Sequence, residues 1–425
     1  MPIASVDNNI YRRRLKMANL DLNNRQIYFD SPKNREFISA PNWWKLMQPV
    51  NDKILLPLIA KYQSDKWVKT LFTQKILSLY IFIGLAIGKT LSLRLIETIS
   101  QSSFAQCFTG LSGGVSRSGL SDRNESIPPN LFRDLLFYLV DQSGKAGKKL
   151  MKQADNNIKI FDSTFISLAH KLIPWACQSS TKGLVSVTLR IDDGSWLPDR
   201  IIIKNEPSDH QVFEDLIDWS QKGVTYLFDR GFSDFAIFKK IVDSGNFLIT
   251  RLPHGYICQV KQNLCVSPAE NNAIKIISDQ IVLVGGKYRK KFEARLITAV
   301  SATGETLYFL TNRFDLTSTE VADIYRHRWQ IETLFKWLKS QLKINRVIAH
   351  TENGFYIQIY IALILHILII LYRQRYRLTE YSLLEIYRAL QSSTYDSWGA
   401  LMYIAGLLST HNSPSKQQKG VSAYA

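Results

Sequence analysis

From Trp43 to about Ser102, apolar residues recur every three or four positions, which predicts three helices with Pro49 and Pro57 marking early boundaries. Gly110 to Gly119 interrupts that rhythm. Ser121, followed by Asp122, Arg123, Asn124 and Glu125, predicts the cap of a short helix, and Pro128 and Pro129 predict the start of another running to about Gln142. At Ile158 the period changes from helical to extended. Ile158–Leu168, Leu184–Ile191 and Leu197–Lys204 alternate, and the turn Asp192, Asp193, Gly194 joins the last two, so three antiparallel strands are predicted. A helix over Asp209–Ser220, a buried strand Val224–Phe228 ending at Asp229, a helix over Ser233–Val242 and a strand Phe247–Leu252 follow.

The resulting order, βββαβαβ, is that of a ribonuclease H-like mixed α/β sheet, in which a hairpin-built half is extended by parallel strands through right-handed crossovers. A different mixed α/β fold stays open on pattern alone. Strand-like runs at Gln280–Val284, Phe292–Val300 and Leu307–Thr311 predict a β-rich insertion over residues 253–312. Tyr325 to Lys339 contains no breaker and reads as one helix, with an apolar seam of Ile324, Ile331, Phe335, Leu338 and Leu342. Phe355–Leu371 is an apolar helix expected to lie buried against the sheet, and 378 to about 408 is helical. The parts are then a polar basic arm at 1–40, a helical domain at 41–150, a catalytic core in two pieces at 151–252 and 313–375 around the insertion at 253–312, and a helical C-terminal region with a disordered tail at 376–425.

A chain of 425 residues exceeds one typical core, so two or three domains are expected. Lys plus Arg outnumber Asp plus Glu by 53 to 36, a formal +17 that favours a polyanionic partner, nucleic acid or an anionic membrane surface. The apolar runs Ile76–Leu91 and Phe355–Leu371 are interrupted by Lys89, by glycines, and by Gln358 and His366, which favours burial over membrane spanning. Cys107, Cys177, Cys258 and Cys265 lack metal or disulfide spacing, and no signal-peptide pattern opens the chain, so a cytoplasmic setting is expected. His170, His210 and His327 read as surface or satisfied core residues. For residues 41–150, helix-turn-helix recognition of DNA and a purely structural bundle both remain open.

The chemistry concentrates on one helical edge. At roughly 100° per residue, Tyr325, Arg328, Glu332 and Lys339 fall within about 60° of one another, although Arg328 and Glu332 four apart could equally be an ordinary surface ion pair. A tyrosine, an arginine three residues on, a glutamate four further and a lysine seven further, with Trp329 directly after the arginine, resembles the signature of the insertion-sequence-four family of DDE transposases. Upstream, Asp162 within Phe161-Asp-Ser-Thr resembles that family's first aspartate motif, and Asp229 before Arg230, Gly231 and Phe232 its second. On sequence alone Asp162 could be an edge-strand residue facing water and Asp229 a helix cap.

The resemblance implies a DNA transposase that binds the terminal inverted repeats of its own insertion sequence, cleaves the ends and joins the 3′ hydroxyls to target DNA. It also implies Asp162, Asp229 and Glu332 as the catalytic, metal-holding carboxylates. Three converging carboxylates need a cation, and hard oxygen donors select Mg2+ or Mn2+, two ions suiting in-line attack on phosphorus. Arg328 and Lys339 would hold phosphate, Tyr325 would donate to it, and Trp329, at a position linked in that family to a hairpin step, would stack on a base. Double-stranded DNA, a homodimer in the DNA complex, and cytoplasmic, nucleoid-associated action without a membrane complete the expectation, and the helical domain is expected to touch DNA. A metal-dependent nuclease without strand transfer, and a DNA-binding protein with structural carboxylates, are the rival readings.

Overall fold

The computed structural model describes residues 43–86, 92–150, 157–168, 174–176, 183–205, 209–254, 259–266, 274–285 and 291–393. The basic arm, the C-terminal tail, Lys89, His170, Cys177, Tyr256, Cys258 and Tyr288 lie outside the described residues. Four helices precede Ser102: α1 (Trp43–Met47), α2 (Asp52–Tyr62), α3 (Thr73–Ala86) and α4 (Leu93–Ser100). Three follow: α5 (Ser103–Thr109), α6 (Arg117–Ser126) and α7 (Asn130–Leu150). The cap expected at Ser121 is at Ser116, whose side chain accepts from Gly119 N, so Ser121 sits inside α6. Serine is common in both segments, and only the backbone geometry picks out the one that caps.

Among the described residues nine strands form one sheet in the order β3-β2-β1-β4-β5-β9-β8-β7-β6. The first half contains β1 (Ile158–Leu168), β2 (Gly183–Asp192), β3 (Pro198–Lys204), β4 (Thr225–Phe228) and β5 (Phe247–Arg251). β1, β2 and β3 form an antiparallel meander, and β4 and β5 add in parallel to β1. The crossovers run through α8 (Asp209–Leu216) and α9 (Phe235–Asp243), which gives the ribonuclease H-like arrangement. The remaining strands, β6 (Gln259–Asn263), β7 (Ile274–Val284), β8 (Phe292–Ser301) and β9 (Thr306–Thr311), extend the same sheet because β9 pairs antiparallel with β5. β6, with every residue exposed, carries no alternation of burial and left no trace in the apolar pattern.

Each face of the sheet is buried under its own apolar cluster. On one side α8 and α9 pack Phe213 and Phe238 against Phe161, Tyr226 and Phe228. On the other, Ile160, Val187, Leu189 and Leu227 meet α10 (Ser318–Arg326) and α11 (Trp329–Ser340). The helix α12 (Glu352–Arg375) is long and apolar enough to cross a membrane, yet 89% of its most apolar stretch is buried inside the protein. Its burial differs from the expectation: α12 packs chiefly on α7, α3 and α6, so the last helix of the 313–375 piece forms the axis of the N-terminal bundle. Gly84 permits this, since a Cβ there would stand 2.8 Å from Leu365 Cδ2. Residues 383–393 add a helix, and Tyr387 on it donates to Gly84 O at 2.7 Å.

Candidate active site

Asp162 occupies the middle of β1, where its neighbours Ile160 and Phe161 are fully buried on opposite faces. The side chain points to the α11 side and accepts from Ser163 N at 2.8 Å. β1 and β4 pair in parallel through Ile160 and Leu227, and the same two-residue step from each leads to Asp162 and to Asp229. The register therefore brings both aspartates side by side at the carboxyl end of β4. Asp229 is held there by its own cap to Arg230 N at 2.7 Å, and Phe232 beyond it plugs the aromatic cluster with its ring 5.0 Å from Phe161. The short Asp-Arg-Gly-Phe run thus fixes a half-buried carboxylate with a buried ring three residues on.

The third carboxylate comes from α11. The single helix expected from Tyr325 to Lys339 is in fact two, α10 and α11, separated at His327 and Arg328. His327 N and Arg328 N bond three residues back, to Ile324 O and Tyr325 O, and tighten the chain. The β2–β3 turn explains the position of the break. Asp193 Oδ2 stands 2.8 Å from His327 Nδ1, its Oδ1 accepts from Gln330 Nε2 at 2.7 Å, and Gly194 N donates to Gln330 Oε1 at 2.9 Å. Asp193 and Gln330 were not singled out in the sequence; the only signal there was the turn itself.

Because of the break, Tyr325 turns into the sheet and packs on Phe309, while Glu332 lines the cleft with Arg328 paired to it. Arg328 Nη2 lies 2.5 Å from Glu332 Oε1, and Nη1 lies 3.5 Å from Asp162 Oδ2. One guanidinium bridges two of the three acids. Two polar atoms beside it, Tyr325 Oη and Arg328 Nε, are buried without a hydrogen-bond partner. Buried donors are nearly always satisfied, so such a pair is unusual in a folded chain. The cleft, about 600 Å3 and open to solvent, is lined by Asp162, Ser163, Thr164, Glu332, Lys336 and Lys339 among others. Trp329 stands outside it, 72% exposed.

Electrostatics set this site apart. Burial pushes the Asp162 carboxyl up to about 6, and the nearby charges of Asp229 and Glu332 push the same way, against the Ser163 amide and Arg328. Asp162 thus feels both other acids as well as Arg328. Arg328 is held above its ordinary value by Tyr325, Glu332 and Asp229 in spite of desolvation. Among the described residues no three His, Cys, Asp or Glu side chains stand close enough to enclose one ion. The donor set nevertheless fits a divalent cation in kind: hard carboxylate oxygens, partly desolvated.

A family model for the transposase DDE domain matches residues 153–368, from the approach to β1 to well inside α12. The chain belongs to the DDE transposase domain family. Relatives agree with that assignment. A Sinorhizobium fredii protein named as transposase y4zB is 26% identical over 59% of this chain and 69% of its own length. A Synechocystis protein named as the transposase of insertion sequence element IS4SA is 27% identical over 69% of this chain and 82% of its own. A Geobacillus stearothermophilus protein named for element IS5377 is 23% identical over 63% and 70%. A cryo-EM structure of a piggyBac transposase synaptic complex with hairpin DNA is similar at TM-score 0.46 and 10% identity over 90% of this chain and 84% of that one, too distant to bear on the chemistry.

The transposase is therefore a DNA transposase of the DDE class, a class that works with a divalent metal. Of the residues named from its sequence, Asp162, Glu332 and Lys339 line one cleft, Arg328 joins two of them, and Asp229 lies within electrostatic reach. Tyr325 does not line the cleft, and Trp329 borders it only through the chain. His327 is engaged by Asp193, and the side chain of His210 lies outside the described residues.

Proposed function

We propose that this transposase cleaves double-stranded DNA at the terminal inverted repeats of its own insertion sequence and joins the freed 3′ hydroxyls to target DNA. Asp162, Asp229 and Glu332 are the catalytic carboxylates and the metal ligands. The observation that carries this reading is the register of β1 with β4, which sets two aspartates side by side facing a glutamate on α11. Two Mg2+ or Mn2+ ions bound by these oxygens would supply Lewis acidity and an activated attacking oxygen. Arg328, which bridges Asp162 and Glu332, carries a guanidinium suited to bidentate contact with a phosphate. Tyr325, buried behind the cleft wall with its ring 5.7 Å from the Arg328 guanidinium, positions that arginine.

Lys339, lowered by burial against the smaller opposing pull of Asp162, holds the adjoining strand as a point charge. Trp329 stacks on a base displaced from the duplex near the cut. The helical part at 41–150 grips the repeat, and two copies of the chain hold the two ends as a homodimer in the nucleoid, away from any membrane. The test uses the full chain and labelled duplexes carrying the element's ends. Metal-dependent release of a 3′ hydroxyl, followed by its joining to a second duplex, is expected, and Glu332→Ala should bind the ends while cutting neither strand. Cleavage that survives chelation of divalent ions, or proceeds at near wild-type rate in Glu332→Ala, overturns the assignment. Cleavage without joining would leave a nuclease.

A further inference from the structure

The loop between α2 and α3 carries a conformation that packing does not explain. Trp67 adopts φ 65°, in the left-handed region, yet its side chain is 88% exposed. A bulky residue in that region is an outlier, and four residues earlier Gln63 is also left-handed at φ 48°. A mobile loop would relax such strain; this one is braced. Arg123, buried within α6, donates to Leu71 O at 2.8 Å and Ser64 O at 3.2 Å and pairs with Asp65 Oδ1 at 3.0 Å. Asp65 Oδ1 also accepts from Thr73 N at 2.8 Å and from Thr73 Oγ1 at 2.6 Å. Both ends of the loop are tied to one guanidinium and one carboxylate, and the indole projects between them.

Around that indole the chemistry is aromatic and cationic. Lys66 Nζ stands 5.8 Å from the Trp67 ring, and Lys75 Nζ stands 5.7 Å from the ring of Phe72, itself 38% exposed. Lys69 lies exposed between them. Among the described residues none of Lys66, Lys69 and Lys75 has a carboxylate within ion-pair distance, and Asp65, the only acid between Gln63 and Lys75, is consumed by Arg123. Three uncompensated ammonium groups and two presented rings match a polyanion whose charges alternate with flat apolar faces. Nucleic acid has that character.

We infer that the loop from Lys66 to Phe72, with Lys75, is a DNA-contact surface separate from the catalytic cleft. Trp67 lies against the base edges of a groove or a disturbed step, and the lysines neutralise flanking phosphates. A loop contributes no helix to the major groove, so the contact is sequence-tolerant and its role is to hold the duplex. The prior bracing by Arg123 means little ordering remains to oppose binding. The inference rests on the chain being a DNA transposase and is independent of the metal chemistry proposed above.

The test uses the full chain, a fluorescent random-sequence duplex, and buffer containing a chelator so that no cutting occurs. Trp67→Ala should weaken binding by about tenfold, as loss of one stacking partner requires, and leave the salt dependence unchanged because no charge is lost. Replacing Lys66, Lys69 and Lys75 together by Gln should lower the slope of log affinity against log salt by about 2 to 3. Trp67, Lys66 and Lys69 are exposed and Lys75 is half-buried without an ion pair among the described residues, so melting temperatures should match the parent. Wild-type affinity in Trp67→Ala, or an unchanged slope in the triple variant, overturns the inference. So does loss of binding to phosphatidylserine vesicles in Trp67→Ala with duplex binding intact, since that result assigns the loop to a lipid surface.

Discussion

Two of the arginines that meet carboxylates in this molecule, Arg295 and Arg328, are finished differently. Arg295 on β8 pairs with Asp279 on β7 through two bonds, at 3.2 and 2.5 Å, with side chains 5% and 3% exposed. Its remaining reach is spent on Arg313 O at 2.7 Å and Leu316 O at 2.5 Å, which ties the extension of the sheet to the start of α10. Arg328 is shared between Asp162 and Glu332, keeps Nε without a partner, and lies beside the unpartnered Tyr325 hydroxyl. A structural ion pair is closed: charge matches charge, and the hydrogen bonds are complete. The cleft is left open, with one acid held up to about 6 and donors without partners, and a site in that state can be completed by a ligand.

The largest expected difference follows from that contrast. Asp162→Asn should lower cleavage by on the order of a thousandfold, the loss of several kcal/mol of metal-assisted stabilisation. In metal-free buffer its melting temperature should equal or exceed the parent's, because burial already disfavours the Asp162 charge. A marked fall in melting temperature would make Asp162 a structural residue and erase the distinction between the two sites. Arg295→Met should do the opposite. Leaving Asp279 buried without its partner costs about 3 to 5 kcal/mol. Joint replacement by Leu at 279 and Met at 295 should recover much of that loss in denaturant melts, and failure to recover would mean that the bonds to Arg313 and Leu316 matter more than the charge.

The same contrast explains what could be read in the sequence. The strands around Asp162 and Asp229 were legible because alternation and a terminal turn are local signals, and the DDE-like wording fell on them. Pattern alone could not place the break at His327, since Tyr325 to Lys339 contains no breaker; the break depends on Asp193, more than 130 positions away in the chain. The strand β6 was silent for want of apolar residues. The partner of α12 was hidden for a related reason: an all-round apolar helix announces burial but not against what, and only the close approach at Gly84 and Leu365 reveals the bundle.

His366 lies between the two extremes. It is fully buried on α12, with Nε2 bonded to Trp196 O at 3.0 Å and Nδ1 without a partner. Desolvation lowers its folded value from 6.5 to about 4, so the unfolded chain binds the extra proton first as pH falls. The neutral ring's contribution is therefore complete above pH 6.5 and is lost as pH drops toward 4, with a slope approaching 1.4 kcal/mol per pH unit and a total of about 3 kcal/mol. His366→Gln can keep a donor toward Trp196 while removing the titration. Its stability relative to the parent should rise across that window in chemical denaturation at several pH values, and a parallel pair of curves would show that His366 does not titrate there.

The smallest expected effect tests the open site at its rim. Lys339 lines the cleft opposite Asp162 and has no carboxylate within ion-pair distance among the described residues. A lysine serving only as counter-charge to Asp162 would change metal affinity when removed, and one that touches DNA would change the salt dependence of end binding. Lys339→Gln should lower the log–log salt slope by about 0.9, the release expected for one phosphate contact, and reduce affinity at moderate salt by less than about tenfold. Glutamine keeps most of the aliphatic stem and removes only the charge, and the buried Leu338 and Leu342 of the neighbouring seam are untouched. Binding is measured in a chelator, where Asp162 has no ion to share. A slope equal to the parent's, together with weaker metal binding, would assign Lys339 to charge balance among the carboxylates and move the phosphate contact to Lys336 on the same wall of the cleft.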